Sequence, residues 1–168
     1  MEEVVERVTL KDARDYFERV VNPNYQEFIA TPGSFRTAFN MALSLFNMRD
    51  WVFVLNKADA ERVCCETFAT KRSLWDHVQR KIPEARSIRD VANASKHVVL
   101  DEHHSTSMTH IANTSIASFG YGEGTYGVGR FAGATVVMAQ DGEEVSMDKC
   151  AAAVFEFWER LLAKFPVA

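Results

Sequence analysis

Cysteine is scarce in this sequence of 168 residues, which contains only Cys64, Cys65 and Cys150. Two of the three are adjacent, and adjacent cysteines do not easily bridge to each other. The odd count fits no disulfide framework, and the spacing matches no metal-ligand pattern. These absences argue against a disulfide-stapled protein and indicate thiols that stay reduced in the cytosol.

Long apolar runs are also absent. The longest apolar stretch, 41–55, is interrupted by Asn47, Arg49 and Asp50, so no uncharged run approaches the length needed to span a bilayer. The chain begins Met-Glu-Glu-Val and lacks the apolar core of a signal peptide. We therefore expect a cytoplasmic protein that does not use a membrane as a partner.

The charge is small overall but uneven. The net charge of −4 argues against a protein wholly dedicated to nucleic acid, whereas the range 71–96 holds seven basic and three acidic residues. Such local asymmetry indicates either an anionic partner or an ordinary solvated helix face. The chain is 47% hydrophobic and 25% charged, which is typical of a globular protein.

Hydrophobic periodicity predicts a mainly α fold in one domain. We expect a helical bundle over 9–100, a small antiparallel, glycine-rich β-element over 105–145, and a C-terminal helix over 146–166 that packs on the bundle. The first helix is predicted from near Thr9, with an interruption at Asn22-Pro23 because proline disfavours a helical residue before it. Later helices are predicted from Ser34 to about Asn56, from Ser73, and from Pro83 to about Val99.

The predicted β-element contains most of the glycine. Six of the eight glycines lie in 120–133, strand signals occupy 105–119 and 135–138, and Asp141-Gly142 is a hairpin turn signal. The segment Gly120–Gly133 lacks the Gly-Lys-Ser/Thr ending of a P-loop and the context of a dinucleotide fingerprint. It is predicted to be a flexible connection between strands, with a role as a lid as the weaker alternative.

The range 86–97 has the most informative polar pattern. At 100° per residue one helix face carries Arg86, Asp90, Asn93 and His97, and Arg89 and Lys96 flank it. Arginine and lysine bind phosphate, histidine can act as a general acid or base near neutral pH, and asparagine can orient it. The alternative is a solvated helix face with i,i+4 pairs such as Arg86–Asp90.

Arg49 and Asp50 lie at the edges of the apolar stripe of the preceding long helix. They mark either the mouth of a site or ion pairs with a neighbouring helix.

The segments Phe46-Asn-Met-Arg-Asp-Trp-Val and Arg89-Asp-Val-Ala-Asn-Ala-Ser-Lys-His together resemble bacterial and phage proteins of HEPN-like type. The resemblance covers the helical part. HEPN domains are α-helical bundles, usually dimeric, and many are metal-independent ribonucleases of toxin–antitoxin and other defence systems. Their motif is an arginine followed by a histidine, often written Arg-Asn-x-x-x-His, with a polar or acidic residue on another helix assisting.

The resemblance implies RNA as the partner, dimerisation, and no cofactor. Asn93-x-x-x-His97 matches the second half of the motif, while Ala92 stands where the arginine belongs. It implies a catalytic set of His97 as general acid or base, Arg89, Asn93 and Asp50, with Arg86 and Lys96 as RNA-binding residues. The alternative is a non-catalytic module that binds a cognate protein or assembles with itself.

Four of the five histidines lie close together at His97, His103, His104 and His110. Imidazole is a common zinc ligand, but this spacing matches no standard ligand pattern. The sequence therefore predicts no metal site, and a metal-dependent small-molecule enzyme is the third alternative.

Overall fold

The computed structural model describes residues 9–97, 108, 110–119 and 133–166. Helices dominate the described residues, and a three-stranded antiparallel sheet precedes the C-terminal helix. The predicted mainly α class with a small β-element is therefore confirmed. The α-helices are α1 (Ala13–Tyr16), α2 (Asn22–Ala30), α3 (Phe35–Leu55), α4 (Lys57–Cys64), α5 (Lys71–Lys81), α6 (Ala85–Ala94) and α7 (Met147–Leu162).

The first helical segment continues through Pro23, so the predicted interruption at Asn22-Pro23 is wrong. A π-helical stretch, Phe17–Val21, joins α1 directly to α2. The Asn22 N–H donates to the Phe17 carbonyl, five residues back. This wider turn comes directly before the proline, and Pro23 itself occupies the first turn of α2, where a missing N–H is tolerated.

α3 is the central helix and contacts α1, α2, α4, α5, α6 and α7. Ser34 caps it as predicted, because its side chain accepts a hydrogen bond from the Thr37 N–H. The turn before it is tied to the sheet, since the Val136 N–H donates to the Pro32 carbonyl at 3.0 Å. None of the described helices combines the length and the apolarity that a membrane crossing requires.

The limits of α5 and α6 differ from the sequence prediction. Thr70 caps α5, three residues before the predicted start at Ser73. The Ser73 side chain completes the capping box. α6 ends at Ala94, where Ser95 closes it. The predicted continuation to Val99 is therefore wrong for 95–97, and 98–99 lie outside the described residues.

The sheet has the strand order β1 (Thr114–Phe119), β2 (Gly133–Gln140) and β3 (Glu143–Ser146), with antiparallel neighbours. Asp141 and Gly142 connect β2 to β3 with φ values of 51° and 85°. Positive φ at both central residues is the geometry of a type I′ hairpin turn, which confirms the predicted turn. The glycine-rich connection over 120–132 lies outside the described residues.

α7 covers the bundle with the apolar face that the sequence predicts. That face is buried and consists of Met147, Ala151, Val154, Trp158, Leu161, Leu162 and, just after the helix, Phe165. The Trp158 Nε1–H donates to the Leu45 carbonyl of α3 at 3.1 Å. α7 is thus joined to the central helix by a buried hydrogen bond as well as by packing.

Candidate functional site

α6 supplies most of the residues of the predicted site. It packs against α3, α5 and α7, and the Ser87 hydroxyl donates to the Gln140 side-chain oxygen of β2 at 2.7 Å. Seven of its ten residues are buried. The other three, Arg86, Arg89 and Asn93, follow the spacing of one helix face. α6 therefore exposes a single narrow stripe that carries two arginines and an amide.

Two members of the predicted polar face do not lie on that stripe. Asp90 is 0% exposed, because α6 is enclosed on most sides by other elements. His97 lies beyond the end of α6, and its N–H donates to the Asn93 carbonyl at 2.9 Å. The predicted common face is therefore wrong for Asp90 and His97. Lys96 and His97 are both exposed at the end of the stripe.

Two arginines come from different helices, Arg49 from α3 and Arg89 from α6, which pack on each other. The side chains of Arg49 and Arg89 are 25% and 14% exposed. Burial lowers the pKa of the Arg49 guanidinium; the Asp50 carboxylate opposes this shift, and the positive charge of Arg89 adds to it. Arginine stays protonated in proteins, so the fold places two mostly buried like charges within electrostatic reach of each other.

Each arginine is compensated by the aspartate that follows it in sequence. The Arg49 Nε lies 3.8 Å from an Asp50 oxygen, and the Arg89 Nε lies 3.4 Å from an Asp90 oxygen. Neither Nε makes a hydrogen bond to any residue that the structure describes. Both Nε atoms are enclosed by the protein, so the donors of each guanidinium that remain for an anion are those of its two Nη atoms.

Asp50 pairs with a neighbouring helix, as one of the two interpretations of its position predicts. Its carboxylate lies 3.1 Å from the Lys71 Nζ at the start of α5. Asp50 thus stands between two cations, Lys71 and Arg49. This position between two cations suits a charge-balancing role.

An aromatic pair borders Asp50. Tyr16 and Trp51 stack with ring centroids 4.7 Å apart. Burial raises the pKa of the Tyr16 hydroxyl, a hydrogen bond with Asn47 opposes the shift, and the Asp50 charge adds to it. Trp51 also lines a shallow surface cavity with Asp50, Val54 and Leu55. The charged site therefore adjoins an apolar surface at the end of α3.

The other predicted members of the site lie at its margin. Arg86 is exposed, and its Nη1 reaches 4.0 Å from Asp141 in the hairpin turn. Of the histidine cluster, His103 and His104 lie outside the described residues. His110 caps a short 3-10 turn, Ile111–Asn113, with its Nδ1 accepting from the Ala112 N–H. The described residues contain no group of three side chains placed to hold a metal ion.

No family model, curated protein or solved structure matches the chain. The resemblance to HEPN domains therefore stays a prediction.

Sequence reasoning did not assign Arg49 and Lys71 to the site. Arg49 was recognised as a break in an apolar stripe, but its nearness to Arg89 depends on how α3 packs against α6. Arg-Asp occurs at 14–15, 49–50 and 89–90, and two of these three copies lie in this charged cluster, so the dipeptide alone does not identify the site. His77, on α5, is buried.

Proposed function

We propose that the protein binds RNA, with the Arg49–Arg89 pair holding a backbone phosphate. The observation that carries the proposal is the placement of two mostly buried guanidinium groups from different helices, close enough for the charge of Arg89 to lower the pKa of Arg49. Like charges in such a position repel each other, and a bound anion relieves that repulsion. Guanidinium groups match phosphate oxygens with paired hydrogen bonds.

The surroundings of the pair favour a polymeric anion over an isolated one. Arg86, Asn93 and Lys96 extend from Arg89 in both directions along α6 and just beyond its end. Successive phosphates of a nucleic acid strand are contacted by cations arranged in such a line. The resemblance to HEPN domains supports RNA as the nucleic acid.

Binding of a short single-stranded RNA, measured by fluorescence anisotropy over a range of salt concentrations, tests the proposal. We expect Arg89→Lys and Arg49→Lys each to weaken binding roughly tenfold, because lysine keeps the charge but loses the paired hydrogen bonds. Arg19→Lys is the matched control, since Arg19 is exposed and pairs with Asp15, and neither residue belongs to α3 or α6. The proposal fails if wild type does not bind, or if the Arg19 variant weakens binding as much as the other two.

Cleavage is the stronger form of the same proposal. His97 would act as general acid or base, and Arg89 or Lys96 would stabilise the charge of the phosphorane. Asp50, balanced between Lys71 and Arg49, would maintain the arrangement of cations. RNA cleavage by wild type but not by His97→Ala would support this form. Equal background cleavage by both proteins, with binding intact, would leave an RNA-binding protein without nuclease activity.

A second candidate is self-assembly through the end of α3. Val54 and Leu55 are 63% and 48% exposed, and together with Trp51 they form an apolar surface next to Asp50. Exposed apolar side chains of this size in a group often mark protein interfaces, and HEPN-like domains usually dimerise. Light scattering after size exclusion distinguishes the candidates, because Val54→Asp would dissociate a dimer built on this surface and leave an unrelated assembly intact.

A further inference from the structure

A second cavity lies on another part of the bundle, between α4, α5 and α7. Its volume is about 480 Å³, within the usual range of small-molecule pockets. Its apolar wall is formed by Val63 of α4, Ile82 just after α5, and Ala153, Phe157 and Leu161 of α7. Nothing in the arginine site or in the proposed RNA binding uses this cavity.

Positive charge surrounds the cavity. Lys81, Arg160 and Lys164 line it, and the one acidic residue lining it is Glu156. Glu156 already pairs with Arg160 at 2.7 Å, while Lys81 and Lys164 form no ion pair with any acidic residue that the structure describes. Two lysines with available charge therefore stand beside an apolar wall.

The same two lysines act on the thiol in the wall. Burial raises the pKa of the Cys64 thiol, and the neighbouring Glu66 and Cys65 side chains add to the shift. The positive charges of Lys164 and Lys81 oppose it. Both ammonium groups are thus near enough to influence one atom of the cavity, although they come from different helical regions.

A buried polar group completes the wall. The His77 side chain is 6% exposed, and its Nδ1 lies 2.7 Å from a Glu66 oxygen. Arg80 holds the other oxygen of Glu66 at 2.6 Å. With Nδ1 engaged, the His77 ring keeps a fixed orientation and has only Nε2 for other contacts.

We infer that this cavity binds a small amphipathic anion, a fatty carboxylate whose chain packs on the Phe157 wall and whose headgroup lies between Lys81 and Lys164. Apolar walls with a few charged groups are the usual composition of sites for such ligands. A single carboxylate matches two lysines that have no ion pair, and the Glu156–Arg160 pair can remain intact when it binds.

Calorimetric titration with octanoate tests the ligand class. We expect octanoate to bind at least roughly tenfold more tightly than octylammonium, which has the same chain with the opposite charge. Acetate, which has the headgroup alone, should bind more weakly than octanoate because it buries no apolar chain. Absence of octanoate binding, or equal binding of octanoate and octylammonium, would overturn the inference.

Substitutions of residues that line the cavity test whether octanoate binds there. The double variant Lys81→Gln/Lys164→Gln should weaken octanoate binding roughly tenfold. Lys11→Gln/Lys149→Gln makes the same change in net charge at exposed lysines that do not line the cavity, and it should leave binding unchanged. Ala153→Phe should fill the cavity and abolish binding. If that variant does not fold, the lysine variants decide the question, since they alter exposed side chains only.

The rate of alkylation of Cys64, which lines the cavity, reports whether the ligand is bound there. Cys65→Asn removes the exposed thiol, and asparagine tolerates the left-handed backbone at this position, where φ is 53°. Cys64 is then the one thiol that is not buried. Saturating octanoate should slow alkylation of Cys64 by iodoacetamide several-fold. An unchanged rate would place the ligand elsewhere and contradict the inference.

Discussion

α6 and α7 are adjacent helices that use charge in opposite ways. In α7 one face is buried and apolar, while the exposed charges pair with each other, as Glu156 and Arg160 do. In α6 the buried residues surround most of the helix and include Asp90, whose partner Arg89 is itself largely covered. A helix that only covers a core needs no buried charge, since burying one costs free energy. The charges of α6 are therefore the ones for which we propose a functional role, whereas those of α7 are explained by solvation.

The largest expected loss of stability comes from removing the carboxylate of the Arg89–Asp90 ion pair of α6. Asp90→Ala should lower the free energy of unfolding by about 3 kcal/mol, because it leaves the Arg89 charge without its compensating carboxylate in a poorly solvated position. Urea denaturation measures the change. Asp90→Asn keeps the shape and removes only the charge, so it separates the electrostatic cost from the cost of a cavity. A loss below about 1 kcal/mol in both variants would show that the pair does not matter for stability.

Two buried tryptophans, Trp158 of α7 and Trp75 of α5, test how much a hydrogen bond adds to the packing of α7. Trp158→Phe removes the hydrogen bond to the Leu45 carbonyl and some core volume, so it should cost about 2 kcal/mol. Trp75 is its matched control, because its buried Nε1–H has no hydrogen-bond partner among the described residues. Trp75→Phe should cost clearly less, since it also removes an unsatisfied donor. Equal losses in thermal or urea denaturation would contradict the importance of the Trp158 hydrogen bond.

The sequence predicted α7 much better than α6, and packing explains why. α7 buries half of its sixteen residues and all of these are apolar, so its apolar period alone indicates which residues are buried. α6 buries seven of its ten residues, including the polar Ser87 and Asp90, and no periodicity in its own residues reveals that polar side chains will be enclosed. For the same reason the nearness of Arg89 to Arg49 could not be predicted, while the candidate role of Arg89 could.

Glu66 is expected to make a smaller contribution to the free energy of unfolding, and this contribution depends on pH. Hydrogen bonds from His77 and then Arg80 hold the pKa of the Glu66 carboxyl below its ordinary value of 4.5. A carboxyl whose pKa is lowered on folding stabilises the protein above its unfolded pKa and loses that contribution as pH falls through the folded pKa. Stability should therefore decrease below about pH 4.5, and Glu66→Gln should flatten the decrease. Parallel pH profiles of unfolding for wild type and variant would contradict this assignment.

The smallest expected loss of stability comes from breaking the exposed Glu156–Arg160 ion pair of α7. Glu156 and Arg160 form an i,i+4 pair whose side chains are mostly exposed, and such pairs contribute about 0.3–0.5 kcal/mol. Glu156→Gln should therefore change the free energy of unfolding by less than about 0.5 kcal/mol and lose even that effect in high salt. A loss comparable with that of Asp90→Ala would remove the distinction between the two helices. If the loss is small, ion pairs of similar appearance differ in their effect on stability according to burial.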